Sequence, residues 1–294
     1  MTAFQSILLG IIQGVTEYLP VSSSGHHVIL RKFWGIPGDF STLFSVFLDL
    51  GTMLAIILLM RKEVLSILLE WLGLASDLLA NFLIYMKNRR SDTKKKYVKL
   101  ITSKSRKYAV MILMGTLPTY ILGYAGRRLV FIWSLSPVWP AIGFLMTAII
   151  ILVCSMSNAG GKKGISDASL DQGMWIGIAQ GLSVFPGISR CAVTYCGGLF
   201  FGYSQNFAIR YCYLLSIPAT LGSFLFELGE FSSRSMTGSI FGTCFLGMIA
   251  AFVTGYLCIR FMMIILKKIP LWIFSVYCFV MGIIVLVNNF SSLS

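Results

Sequence analysis

Long apolar runs alternate with short polar stretches along the whole chain. Six of these runs are long enough to cross a bilayer, which takes roughly 20 helical residues. They lie at residues 42–60, 108–126, 135–156, 205–228, 239–262 and 269–289. A seventh run, 63–84, carries Glu70 and Asp77 in its middle, which favours an amphipathic helix that lies in the membrane interface or extends the preceding span. A true seventh span is the alternative.

Two other apolar runs are too short to span. Residues 4–19 and 172–185 would form helices of roughly 24 and 21 Å, less than the ~30 Å hydrocarbon core. Each run then enters a polar turn, at Pro20 or Pro186. Because interrupted backbone at membrane depth must be buried by protein or line a cavity, we expect re-entrant helical hairpins at about 4–33 and 172–202.

The two short runs also resemble each other. GIIQGVT at 10–16 matches GIAQGLS at 177–183, an offset of 167 residues. The single membrane domain 1–294 is therefore interpreted as two repeats, 1–156 and 160–294, each with one hairpin and three spans. Because each repeat crosses the membrane an odd number of times, the second repeat must begin on the opposite side of the membrane from the first. The sequence predicts an all-α polytopic protein with an inverted-topology repeat, whose site lies at the midplane between the halves.

Composition excludes a soluble fold or a disordered chain. The chain is 56% hydrophobic and only 12% charged, with a mean hydropathy of +0.81. Its net charge of +13 does not indicate nucleic-acid binding, because the basic residues form short runs between apolar stretches. The segment 87–107 holds ten lysines and arginines and one acidic residue, Asp92. By the positive-inside rule we expect this segment to be a cytoplasmic loop, and tracing the spans from it places both termini outside the cytoplasm.

Candidate functional residues cluster in the two hairpins, because ionisable groups inside a membrane are costly and are functional candidates by default. The first hairpin supplies Gln13, Glu17, Ser22, Ser23, Ser24, Gly25 and His26, and the second supplies Gly187, Ser189, Arg190 and Thr194. If the hairpin tips meet, one site holds a carboxylate, hydroxyls, an imidazole and a guanidinium. This set suits phosphate chemistry.

Several roles stay open at this point. Arg190 offers a charged fork for phosphate oxygens, and Gly25 and Gly187 let backbone amides approach an anion. Ser23 or His26 could attack phosphorus, with direct attack by water as the third alternative. Glu17 could act as a base, orient the imidazole or bind a divalent cation.

Each candidate also has a structural interpretation. Serine-rich turns often only cap helices, and Arg190 could simply extend its charge to the membrane surface. Adjacency alone does not separate His26 from His27. Asp49 lies inside a predicted span, where bonding between helices explains it as well as catalysis does.

The motifs QGVTEYLPVSSSGH at 13–26 and PGISRCAVT at 186–194 resemble those of the BacA-type undecaprenyl-diphosphate phosphatase family. The family has Glu or Gln at one position and Glu four residues later, which Gln13 and Glu17 match. Its serine-rich turn ends in a histidine, which corresponds to His26. Cys191 and Ala192 depart from the second motif, where the family has a serine and commonly a glycine. The motif arginine is retained as Arg190.

The resemblance implies hydrolysis of undecaprenyl diphosphate to undecaprenyl phosphate, a carrier reused in peptidoglycan synthesis, and a link to bacitracin resistance. It also implies the bacterial plasma membrane, a site open to the extracytoplasmic side, dependence on a divalent cation (Mg²⁺ or Ca²⁺) and, for some members, homodimers. The phosphatidic-acid type of membrane phosphatase requires a later histidine, and none follows His27. A transporter that moves prenyl phosphate between leaflets through the same pocket is the alternative function.

Overall fold

The computed structural model describes residues 1–35, 38–90, 94–134, 136–157, 159–231, 238–266 and 268–291, which are mostly helical. These ranges contain eleven helices: α1 Ala3–Thr16, α2 Ser23–Trp34, α3 Gly38–Leu59, α4 Arg61–Asn88, α5 Lys104–Ser134, α6 Val138–Met156, α7 Leu170–Leu182, α8 Arg190–Phe200, α9 Gln205–Phe231, α10 Gly238–Ile265 and α11 Trp272–Ser291. Among the described residues, α4, α5, α6, α9 and α10 are long and apolar enough to cross a membrane, and α3 and α11 contribute shorter apolar stretches. The all-α polytopic class is confirmed.

The run at 63–84 forms α4, a continuous helix of 28 residues. Its length and composition are those of a membrane span, the alternative interpretation of this run. Glu70 and Asp77, the two acids that argued against a span, both pair with Arg106 in the first turn of α5. A tertiary contact therefore neutralises these acids, which the sequence pattern did not show.

Each predicted hairpin is a pair of short helices joined by a turn. Helices α1 and α2 flank the first turn, and α7 and α8 flank the second. Both pairs begin with a capping box, in which Thr2 and Gln5 cap α1 while Ser169 and Gln172 cap α7. These caps stand 167 residues apart, the same offset as the matching sequence runs.

The two halves of the chain pack across each other. Helix α1 lies mainly along α10, and α7 lies mainly along α5. Glycines permit both approaches, because a Cβ at Gly10 would stand 2.3 Å from the carbonyl oxygen of Gly247, and one at Gly177 would stand 2.0 Å from that of Gly115. Backbones in such close contact leave no room for a side chain.

The largest cluster of buried side chains surrounds α8 and α9 and includes Tyr195, Tyr211 and Tyr213, each at most 1% exposed. A smaller cluster joins α1, α3 and α10 around Leu9 and Phe44. Helices α1 and α8, which carry the candidate residues next to the turns, are therefore held by packed protein.

Substituting Gly177 tests the close approach of α7 to α5. We expect Gly177→Ala to lower the Tm of the purified protein by several degrees, because overpacking costs about 1–3 kcal/mol. The matched control is Gly123→Ala in α5, where nothing lies within 4 Å of the added Cβ. That change should leave the Tm unchanged or raise it slightly, since alanine favours the helix. Equal Tm values for the two variants would contradict the tight packing.

Candidate functional site

The first turn is stabilised by side chains from distant parts of the chain. The carbonyl of Tyr18 accepts hydrogen bonds from Tyr213 (3.1 Å) and from Cys191 (3.5 Å). Ser189 bonds to the carbonyl of Leu19 (3.5 Å). These donors belong to α8, its N-cap and α9, so the second hairpin and its neighbour satisfy the interrupted backbone of the first.

The second turn is held by α6 in a similar way. The hydroxyl of Thr147 donates to the carbonyl of Gly187 (2.9 Å) and accepts from the N–H of Ser189 (3.0 Å). Gly187 has φ +91, and a Cβ there would stand 2.1 Å from the carbonyl oxygen of Pro140. Only glycine fits this conformation at this distance.

A carboxylate cluster forms where α1 ends. The Ser23 hydroxyl donates to Glu17 Oε2 at 2.5 Å. The Gln13 amide bonds to the same Glu17 oxygen at 3.1 Å and to Asp49 Oδ1 of α3 at 2.5 Å. The Glu17 side chain is only 9% exposed. One amide therefore bridges two carboxylates, and one hydroxyl points its proton at Glu17.

Arg190 approaches this cluster from the other hairpin. Its Nη1 lies 3.8 Å from Glu17 Oε1 and donates to the hydroxyl of Thr220 in α9 at 2.9 Å. Arg190 is the first residue of α8, whose N-cap is Ser189. The guanidinium that lies beside Glu17 thus extends from the N-terminus of a helix, and both groups attract anions.

His26 takes part in a different set of contacts. Its Nδ1 lies 2.6 Å from the Ser22 carbonyl and its Nε2 lies 2.6 Å from the Tyr277 hydroxyl. A carbonyl can only accept, so Nδ1 carries a proton, and in the neutral form of the ring Nε2 accepts from the Tyr277 hydroxyl. The ring also packs edge-on against Phe144. The described contacts of His26 join the first turn to α6 and α11 and do not include Glu17 or Arg190.

The remaining predicted binding residues join the two hairpins or cap them. Ser22, which has φ +63, caps α2 through the N–H of Gly25 (3.3 Å). The N–H of Gly187 lies 3.4 Å from the Ser24 hydroxyl. Thr194 donates to the carbonyl of Arg190 (2.8 Å) one turn back and is 1% exposed. The turns are thus bonded to each other close to the Glu17–Arg190 pair.

The geometry can be compared with known proteins at this point. The chain matches the family model described as bacitracin resistance protein BacA over residues 6–284. It is 32% identical over 286 residues to an undecaprenyl-diphosphatase of Alkaliphilus metalliredigens, covering 97% of this chain and 98% of the relative. It is 33% identical over 293 residues to one of Desulforapulum autotrophicum, covering 99% of each. This chain belongs to the BacA family.

Cys191, where this BacA-family chain departs from the second motif, does not face the carboxylates. Its thiol donates to the Tyr18 carbonyl, and it is 3% exposed. Cysteine in this position therefore supports the first turn from within the protein. The departure leaves the contact between Glu17 and Arg190 in place.

Three residues around the BacA-family site were missed or left open by sequence reasoning. Asp49 was left open, and its position inside an apolar run was the one signal for it. Thr220 and Thr147 were missed, since threonines in apolar helices have no distinctive pattern. All three take their importance from contacts between helices.

The carboxylates of Glu17 and Asp49 and the hydroxyl of Ser23 form a set of oxygen donors. Among the described residues, no group of three or more His, Cys, Asp or Glu could enclose a metal ion. Mg²⁺ commonly binds one or two carboxylates and completes its shell with water and substrate phosphates. The donor set therefore fits such a cation better than one that needs a full protein cage.

Proposed function

We propose that this protein hydrolyses undecaprenyl diphosphate to undecaprenyl phosphate and inorganic phosphate. The family and the shared name of the relatives support this reaction. The observation that carries the proposal is the meeting of Glu17, Ser23 and Arg190, which belong to different hairpins. An anion-binding group thereby stands next to a hydroxyl that already donates to a carboxylate.

Ser23 is the nucleophile in this proposal. Glu17 takes the Ser23 proton as Oγ attacks the terminal phosphorus, and the bond from that phosphorus to the bridging oxygen breaks. Undecaprenyl phosphate leaves with the electron pair of that bond. Glu17 passes the Ser23 proton to the departing undecaprenyl phosphate and is a carboxylate again. Water then attacks the phosphorus of the phosphoserine while Glu17 accepts a water proton. The bond from phosphorus to the serine oxygen breaks, phosphate is released, and Glu17 returns that proton to the serine oxygen.

Arg190 holds the diphosphate and stabilises the charge that develops on the transferred group, which is the main catalytic demand of phosphoryl transfer. Gln13 orients Glu17 and Asp49. Ser189 caps α8, and the positive end of that helix adds to the attraction for phosphate. Ser22, Ser24, Gly25, Gly187 and Thr194 shape the turns that present these groups.

His26 has a positioning role in this scheme. Both ring nitrogens already have partners, the Ser22 carbonyl and the Tyr277 hydroxyl, and the ring does not need to leave them for the reaction. It holds Ser22, whose positive φ sets the direction of the turn, and so directs Ser23 toward Glu17. Ser23 is therefore preferred over His26 as the attacking group.

A divalent cation fits beside Glu17 and Asp49, and Mg²⁺ matches the donor set best. When bound, the cation would supply positive charge to the phosphate oxygens. The chain's own contribution is to hold two carboxylates through the single amide of Gln13.

The topology we propose has six spans, formed by α3, α5, α6, α9, α10 and α11, and two re-entrant hairpins related by an inverted repeat. The reciprocal packing of α1 on α10 and of α7 on α5 supports it, as does the common offset of the capping boxes. In this arrangement the site lies in the plasma membrane and opens to the extracytoplasmic side, and the prenyl tail remains in lipid. The homodimer stays a prediction. The hydrolase name of the relatives favours hydrolysis over lipid transport.

Replacing Arg190 tests the anion-binding role. We expect Arg190→Lys to reduce phosphate release from a long-chain prenyl diphosphate roughly a hundredfold, since lysine cannot supply the planar fork. Arg210→Lys is the matched control, because Arg210 pairs with Glu63 and is half-exposed. It should retain close to full activity in purified protein. A similar rate for both variants would remove Arg190 from the site.

Trapping the phosphorylated protein separates the candidate nucleophiles. Rapid quench into detergent at mildly alkaline pH preserves both phosphoserine and phosphohistidine. With substrate labelled in the terminal phosphate it should yield label on Ser23, and Ser23→Ala should abolish the label and lower turnover roughly a thousandfold. His26→Gln should slow turnover yet still give label on Ser23. Label that maps to His26 would refute our assignment, and the absence of label in every quench would favour direct attack by water.

Substituting Asp49 tests the cation site without an activity measurement. Mn²⁺ titration of the purified protein, followed by electron paramagnetic resonance, should show binding that weakens at least about tenfold in Asp49→Asn. The control Glu63→Gln removes one carboxylate at the distant pair with Arg210 and should bind Mn²⁺ as the wild type does. Equal affinities of Asp49→Asn and wild type would exclude Asp49 as a ligand.

A further inference from the structure

Helix α4 has a polar stripe that binds the chain returning to α5. Glu70, Asp77, Asn81 and Asn88 follow at intervals of seven, four and seven residues, a spacing that places them on one helical face. All four side chains contact residues of the segment 95–106, as detailed below. This face of α4 therefore faces protein.

The contacts run in antiparallel order. Asn88 bonds to both the N–H and the carbonyl of Lys95 (2.8 and 2.9 Å), and Asn81 bonds to the same two groups of Val98 (2.7 and 2.9 Å). Arg106 then pairs with Asp77 and Glu70. The segment 94–104, which we name the return segment, is therefore aligned along α4.

The opposite face of α4 is apolar and exposed. Leu65, Leu72, Leu79 and Met86 recur every seven residues and are 58%, 70%, 61% and 40% exposed. At about 100° per residue, this stripe lies on the far side of the helix from the polar stripe. Leu68 and Leu83, also exposed, widen it. We name these six residues the leucine stripe.

Cations stand at both ends of α4. Arg61 begins the helix on the face of the leucine stripe, four residues before Leu65, and Arg90 lies two residues beyond the end of the helix. Further exposed cations stand at the end of α4 and along the return segment: Lys87, Arg89, Lys94, Lys95, Lys96, Lys99 and Lys104. The acids on the polar stripe, Glu70 and Asp77, are already paired with Arg106.

Apart from the bonds to the return segment and to Arg106, the described contacts of α4 with the rest of the protein lie in its first half. Glu63 pairs with Arg210 (2.5 Å), and Trp71 donates to the carbonyl of Ala109 (2.9 Å). Ile67 is the one buried residue of this helix. If α4 crossed the membrane, the exposed Lys99 and Lys104 of the return segment would lie beside its middle, in the hydrocarbon core. These contacts therefore favour a helix lying at one end of the bundle.

We propose that α4 and the return segment form a binding surface for anionic phospholipids at the cytoplasmic face of the membrane. The leucine stripe enters the boundary between headgroups and acyl chains, and the cations at the two ends of α4 contact lipid phosphates. The lysines of the return segment lie on the opposite side of the helix and add to the positive potential that attracts anionic lipids. A second copy on the same stripe is disfavoured, because it would bring two dense sets of cations together. This surface is separate from the proposed phosphatase site.

Native mass spectrometry of the purified full-length protein, loaded with equal amounts of phosphatidylglycerol and phosphatidylcholine, tests the proposal. The wild type should retain phosphatidylglycerol preferentially, and added salt during loading should weaken this preference. The triple variant Lys87→Gln, Arg90→Gln, Lys94→Gln should retain roughly fivefold less. The control Lys162→Gln, Arg260→Gln, Lys268→Gln removes the same charge elsewhere and should behave as the wild type.

The double variant Asn81→Ala, Asn88→Ala keeps every lysine but releases the return segment. It should also lose part of the preference for phosphatidylglycerol. Because the net charge of this variant is unchanged, a loss of net charge could not explain that result. Equal retention of phosphatidylglycerol by the two triple variants would overturn the proposal. So would a wild-type dimer that separates in Leu72→Lys, Leu79→Lys, since a second copy would then cover the leucine stripe.

Discussion

Backbone polar groups that leave a helix inside a bilayer need partners, because no water is available there to satisfy them. In the topology proposed above the first turn meets this constraint with donors from the second half of the chain, which bond to the carbonyls of Tyr18 and Leu19. The carbonyl of Pro20 accepts from Cys278 of α11. The site depends on this arrangement, since the side chains that satisfy the first turn also place Arg190 beside Glu17.

Satisfying the turns and assembling the chemistry are therefore closely linked. Ser189 caps α8, bonds to the first turn and precedes Arg190, so one residue contributes to all three features. Thr147 of α6 stabilises the second turn by donating one hydrogen bond to it and accepting another from it. A carboxylate, a hydroxyl and a guanidinium can then stand together without a flexible loop. Such preorganisation is what phosphoryl transfer requires.

The sequence predicted the parts of the site that have strong local patterns. Glu17 and Arg190 stood out because charge is rare in apolar runs, and the matching runs at 10–16 and 177–183 indicated how the turns correspond. Asp49 and Thr220 depend on helix packing, and packing is set by contacts between residues far apart in sequence. The direction of the His26 ring depends on Tyr277, 251 residues away, so no local pattern predicts it.

Helix α4 shows the same difference between what a local sequence pattern predicts and what long-range contacts decide. Its apolar length and its two acids were visible in the sequence and led to opposite interpretations. Pairing with Arg106 offsets the energetic cost of two carboxylates in an apolar helix, but it requires the chain to fold back along that helix. Sequence periodicity describes a single element well and cannot anticipate which other segment will occupy one of its faces.

The reciprocal packing of the two halves has a consequence for biosynthesis. Ser6 in α1 bonds to the carbonyl of Thr243, 237 residues later, so α1 leaves the ribosome long before the segment against which it packs. Cys278, which bonds to the Pro20 carbonyl of the first turn, follows later still. Docking of α1 therefore has to wait for α10, and a chain truncated before α10 would lack the helix along which α1 docks.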